Sequence, residues 1–180
     1  ISIEADKQIY TQMKSKMSNI ENLELIHGDG FKSKRKFDVF VSNLPYSESR
    51  NALEWLTQTR FSRGIIMVQK EFAEKLTTSV LGERKAITII ANHCFEIQKI
   101  INVGKNNFDP PPKVDSVVLD LTKKKTISSE LIKTINKIFS YRRKTIQNIL
   151  KQFEKQSDNQ KRLDDLTGDE IIKIAKQIIR

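Results

Sequence analysis

Short runs rich in β-branched residues alternate with stretches of helical spacing over roughly the first two thirds of the chain, and this alternation limits the fold more than any other feature. Strands separated by helices end up side by side in a mostly parallel sheet with the helices on its faces. Strands are expected at Ile1 to Ile3, Leu23 to Ile26, Phe37 to Ser42, Gly64 to Gln69, Phe95 to Val103 and Ser116 to Leu121. Helices are expected at Ala5 to Met17, Asn51 to Thr57, Lys70 to Thr77 and Lys85 to Cys94, the third with Phe72, Ala73 and Leu76 on one side. Beyond Leu121 the pattern changes: Lys123-Lys124-Lys125 reads as a polar linker and the remainder as helix. Leu131, Ile135, Ile138 and Phe139 form one apolar stripe, and Ile146, Ile149, Leu150 and Phe153 another. Thr167-Gly168-Asp169-Glu170 has the spacing of a capping box ahead of a last helix carrying Ile171, Ile174, Ala175 and Ile178. The reading is an α/β domain over residues 1–122 followed by a small all-helical domain over residues 123–180.

Composition narrows the partners. A hydrophobic content of 38% supports a real core, and 32 Lys+Arg against 22 Asp+Glu give a net charge of +10, which favours a polyanion such as nucleic acid. One cysteine, Cys94, rules out an internal disulfide and is expected in the core. No apolar run is long enough to span a bilayer and no signal-peptide pattern opens the chain, so a cytoplasmic monomer without a membrane partner is expected. His27 and His93 show no ligand spacing, and no metal is expected.

The residues with chemical point lie at expected strand ends. Asn43-Leu44-Pro45-Tyr46 follows the apolar run Phe37 to Val41. An Asn carboxamide oxygen and the Leu44 carbonyl can accept the two hydrogens of one exocyclic amine, while the Tyr46 ring stacks on the base that carries it. Pro45 stiffens the loop and holds Leu44 extended. Glu4, at the end of the first strand, is an acceptor-only carboxylate suited to ribose hydroxyls. Asp29, in His27-Gly28-Asp29-Gly30, is placed to accept from an adenine amine, with glycines that allow close approach. Phe108 opens the rigid loop Phe108-Asp109-Pro110-Pro111-Pro112-Lys113-Val114-Asp115-Ser116 and offers a second aromatic face. Arg142, Arg143 and Lys144 can neutralise phosphates. Trp55, beside Leu53 and Leu56, reads as packing.

Taken in order, these motifs resemble the KsgA/Dim family of ribosomal RNA adenine dimethyltransferases, which is similar in turn to the Erm methyltransferases. Asn43 to Tyr46 looks like the family's target-amine motif, Gln69 to Leu76 its post-strand helix, Phe108 to Ser116 its Phe-x-Pro-x-Pro-Lys-Val-x-Ser loop, and Phe139 to Thr145 its basic segment. The resemblance implies a Rossmann-like class I methyltransferase sheet and S-adenosylmethionine as cofactor, with Glu4 on its ribose, Asp29 on its adenine and Asn43 beside the methyl group and amine. It also implies two methyl transfers to each of two adjacent adenines near the end of small-subunit ribosomal RNA, in the maturing small subunit. The family's glycine-rich first loop has no counterpart in these residues, which start at Ile1, so the sheet is expected to be incomplete at its N-terminus. Ser47-Glu48-Ser49 puts a charge where the family has an apolar contact, and Thr77 to Thr88 lacks the family's tyrosine. Alternatives of the same fold are a catalytically silent RNA-binding assembly factor and an Erm-like enzyme acting on another RNA.

Overall fold

The computed structural model describes residues 1–180. They form two compact units, Ile1–Lys36 and Phe37–Arg180. In the first, β1 (Ser2–Glu4), α1 (Lys7–Lys16) and β2 (Leu25–His27) make a strand-helix-strand unit whose strands pair in parallel, Ser2 opposite Leu25 and Glu4 opposite His27. Asp6 starts α1 by accepting from the amides of Gln8 at 2.7 Å and Ile9 at 3.0 Å, which satisfies donors the first turn leaves over.

The second unit is built on β3 (Val39–Asn43), β4 (Arg63–Gln69), β5 (Phe95–Val103) and β6 (Ser116–Lys123), in the spatial order β3-β4-β6-β5. β3 and β4 are parallel, and β6 runs against both β4 and β5. Three strands therefore share a direction, as the alternation suggests, and the reversal of β6 is the exception. It follows from connectivity: no α-helix separates β5 from β6, so the chain returns beside the strand it has just left. Ile66 and Val68 of β4 and Val117, Leu119 and Leu121 of β6 are buried. β3 instead alternates: Val39 and Val41 are exposed, on the same face as Asn43.

The helices α2 (Ser49–Gln58), α3 (Lys70–Thr77) and α4 (Ala86–Cys94) bury Leu53 and Leu56, Ala73 and Leu76, and nearly all of α4. Trp55 stacks on Phe37 with ring centroids 5.7 Å apart and meets Phe40 edge-on, so it packs as expected. Ile89 and Ile90 of α4 belong to the same apolar cluster as α5 (Ser129–Ser140), α6 (Ile146–Lys151) and α7 (Gly168–Ile179). The C-terminal helices thus share a core with α4, and the division between compact units falls after Lys36 instead of near residue 122.

Lys123 does not act as a linker residue. It ends β6 opposite Phe95, and its ammonium donates to the carbonyls of Leu56 at 2.6 Å and Thr57 at 3.0 Å, closing the C-terminal end of α2. It also lies 4.6 Å from the Phe95 ring centroid and 5.2 Å from that of Phe61. Burial pushes its pKa down to about 8. Lys124 and Lys125 are tied back by their amides to the Cys94 carbonyl at 2.8 and 3.3 Å.

Lys123→Met should cost about 1–3 kcal/mol in urea unfolding, because two helix-end carbonyls lose a buried donor. Cys94 is buried in the core and its thiol is pushed up to about 11 by burial. The native protein should therefore resist a thiol reagent at pH 8 that labels the urea-unfolded chain rapidly.

Candidate active site

Local chain chemistry sets the Asn43 loop. Asn43 ends β3 opposite Met67 of β4, and the Leu44 amide adds one more bond in the same direction, to the Met67 carbonyl at 3.2 Å. The Leu44 side chain is 3% exposed and anchors the loop in the core. Pro45, at φ −53° and ψ 132°, then turns the chain into a short 3-10 turn over Tyr46–Glu48. The Asn43 carboxamide is exposed and has no partner within the chain, and the Leu44 carbonyl accepts no hydrogen bond. Two acceptors on neighbouring residues are thus available at the carboxyl end of parallel strands, where ligands of open α/β sheets bind.

Tyr46 is half-buried, and its hydroxyl forms a 2.7 Å hydrogen bond with the hydroxyl of Ser116. Ser116 is buried at the first position of β6, paired with Gln69 and Val103. It therefore terminates the proline loop that begins at Phe108, and the bond ties that loop to the Asn43 loop. Asp115 makes a second tie: its carbonyl accepts from the Lys70 amide at 2.9 Å and its carboxylate from the Lys105 amide at 3.0 Å. Phe108 follows the 3-10 turn Lys105–Asn107 and is half-buried. Glu48 turns its carboxylate to the Asn51 amide group at 2.9 Å, so its charge is met locally. The Ser49 hydroxyl is buried without a partner.

In the first unit, Glu4 and Asp29 lie at the carboxyl ends of adjacent parallel strands. Each uses one oxygen on its own turn: Glu4 Oε1 accepts from the Asp6 amide at 2.8 Å and Asp29 Oδ1 from the Phe31 amide at 2.9 Å. Those bonds fix the carboxylates and leave the second oxygen of Glu4 open, while that of Asp29 meets Lys32 at 3.3 Å. A Cβ at Gly28 or Gly30 would meet nothing within 4 Å. Neither glycine is needed for the protein's own packing.

The basic segment splits. Arg142 donates to both oxygens of Asp164, at 2.8 and 3.1 Å, and to the Gly82 carbonyl at 2.7 Å. All three bonds are made by Nη2, which thus holds two loops together within the chain. Arg143 is exposed and has no partner, and the Lys144 ammonium lies 5.0 Å from the centroid of the Tyr141 ring.

Comparison with known proteins decides the ancestry. The family model for ribosomal RNA adenine dimethylase matches residues 1–179. This chain belongs to the ribosomal RNA adenine dimethylase family. It is 30% identical to ribosomal RNA small subunit methyltransferase A of Thermotoga petrophila, over 98% of this chain and 71% of that protein. It is 31% identical to the Borreliella burgdorferi protein of the same name, over 84% of this chain and 57% of that protein. A crystal structure of a dimethyladenosine transferase from Plasmodium falciparum superposes with a TM-score of 0.80 at 27% identity, covering 98% of this chain and 80% of that one. The 23S rRNA methyltransferase ErmE shares the fold, with a TM-score of 0.67 at 18% identity, over 99% of this chain and 81% of that one.

Within this dimethylase chain, the positioning residues that sequence reasoning passed over are Asp115 and Ser116. Both stand in the proline motif, but their partners lie far away along the chain. A double-mutant cycle of Tyr46→Phe and Ser116→Ala should show coupling of about 0.5–1.5 kcal/mol in unfolding free energy. Additive effects would mean that the two loops are not held by this bond.

Proposed function

We propose that this chain transfers methyl groups from S-adenosylmethionine to the N6 amines of adjacent adenines near the 3′ end of small-subunit ribosomal RNA, in the maturing small subunit and hence in the cytoplasm. The observation that carries this is the pair of open acceptors, Asn43 Oδ1 and the Leu44 carbonyl, on a loop braced by Tyr46. Family membership supports it.

The residues present suit the cofactor's adenosine. Glu4 keeps one oxygen open for a ribose hydroxyl, Asp29 can accept from an adenine amine, and open space at Gly28 and Gly30 allows the backbone to be approached closely. Bound S-adenosylmethionine would supply a methyl group carried on a positively charged sulfur.

What the chain itself does is bind and shape the amine. The N6 lone pair of adenine is delocalised into the ring and is a poor nucleophile. Acceptors on both N–H bonds, from Asn43 and Leu44, favour the pyramidal amine whose lone pair is localised. The Tyr46 and Phe108 rings contribute stacking, worth roughly 1–3 kcal/mol per base. The newly methylated nitrogen is acidic and gives its proton to water, so no side-chain base is required. Arg143 and Lys144 meet the RNA phosphates, with Arg142 shaping the turn that presents them.

Asn43→Ala should lower single-turnover methyl transfer to small-subunit RNA by about 10²–10³-fold, the usual loss for a donor or acceptor acting in the transition state, while S-adenosylmethionine affinity stays nearly constant. An unchanged rate would remove Asn43 from the reaction.

A further inference from the structure

A cavity of about 490 Å³ lies beside α4, bounded by Thr78 and Ser79, by Thr88, Asn92 and His93 of the helix, by the exit of β6 and by the start of α7. Its wall is charged in an unusual way. Arg84 is only 9% exposed, yet its guanidinium donates to the carbonyls of Leu166 and Leu81 and pairs with no carboxylate. A buried cation held only by neutral carbonyls lacks the counter-charge that such groups ordinarily find inside proteins. Lys124 and Lys125 add two more cations at the rim, the first donating to the Asn92 carbonyl at 2.7 Å.

Two further groups point to a ligand. The His93 side chain is 9% exposed, lines the cavity and makes no hydrogen bond; its nearest carboxylate, Asp169, is 4.0 Å away and itself 97% exposed. The start of α7 also has donors left over. Its capping box uses the Glu170 and Ile171 amides, which bond to Thr167, and leaves the Gly168 and Asp169 amides without acceptors in the chain. Such amides, aligned with the helix dipole, favour an oxyanion. The acidic neighbours are Asp169, free to turn outward, and Glu170, whose carboxylate is engaged by the Thr167 amide and hydroxyl at 2.7 and 2.9 Å.

We propose that this cavity binds a backbone phosphate of the RNA substrate, at a site whose lining includes neither the Asn43 loop nor Arg143. That the oxyanion is an RNA phosphate rests on the proposed function; the affinity for an oxyanion rests on Arg84, His93, Lys124, Lys125 and the α7 amides alone. The net charge of +10 and the lysines at the rim favour a polyanion over a free ion.

The test uses amide spectra of the protein titrated with inorganic phosphate and, separately, with a hairpin from the 3′ end of small-subunit RNA. The Gly168 and Asp169 signals should move in both titrations. The double variant Lys124→Ala, Lys125→Ala should flatten the dependence of log RNA affinity on log salt by about 0.7–0.9 for each phosphate that is no longer neutralised. Gly168→Pro removes one amide donor at the first helical position, where proline is tolerated, and should weaken RNA binding without lowering the melting temperature. Amide signals unmoved by either probe would overturn the site. Signals moved by phosphate alone, with parallel salt lines for variant and parent, would overturn RNA as its occupant. RNA binding through this cavity by a protein that transfers no methyl group would remove the catalytic reading and leave this one standing.

Discussion

The larger unit depends on the burial of α4. Ala86, Ile87, Thr88, Ile89, Ile90, Ala91 and Cys94 are all buried, a pattern expected of a helix with apolar neighbours all round. It has packing partners in α2 and α3 and in the C-terminal helices α5 and α7. The amphipathic stripes of α5 and α7 bury against each other, against this helix and against Ile146, Ile149 and Leu150 of α6. Apolar burial at about 25 cal/mol per Å² makes that shared core the main reason the C-terminal helices hold a defined place.

The loops at the carboxyl ends of β3 and β4 are fastened by contacts of their own. The Leu44 side chain enters the interior, Tyr46 is fastened to Ser116, and Asp115 fastens the returning strand to the start of α3 and to the turn before Phe108. The groups left over are those a substrate amine could use. An acceptor held in place by buried neighbours needs little reorganisation when a base arrives, which is how a site of this kind gains rate without a strong base.

The charge distribution divides into cations the fold consumes and cations it leaves available. Lys123 caps α2, Arg142 pairs with Asp164, and Arg63 pairs with Asp120, whose carboxyl is held below its ordinary range by that guanidinium. Arg143 and Lys125 are among those that remain, whereas Arg84 is spent on two carbonyls but meets no carboxylate. A formal excess of positive charge therefore says less about RNA binding than does the identity of the basic residues that lack an acidic partner.

Much was legible in the sequence. Apolar period located every strand and the main helices to within a few residues, because side-chain alternation and helical spacing are local properties of the chain. The capping box at Thr167 was equally local. The Asn43 loop and the proline loop were recognisable as candidate chemistry because their residue types already carry the needed acceptors and rings. What only the tertiary structure decided were choices made between distant segments: the reversed β6 between β4 and β5, the shared core of α4 with α5 and α7, Tyr46 with Ser116, Arg142 with Asp164, and Arg84 with no acid at all. Composition cannot distinguish a lysine or arginine spent inside the fold from one left for a partner, since that depends on which carbonyls and carboxylates packing brings within hydrogen-bonding reach.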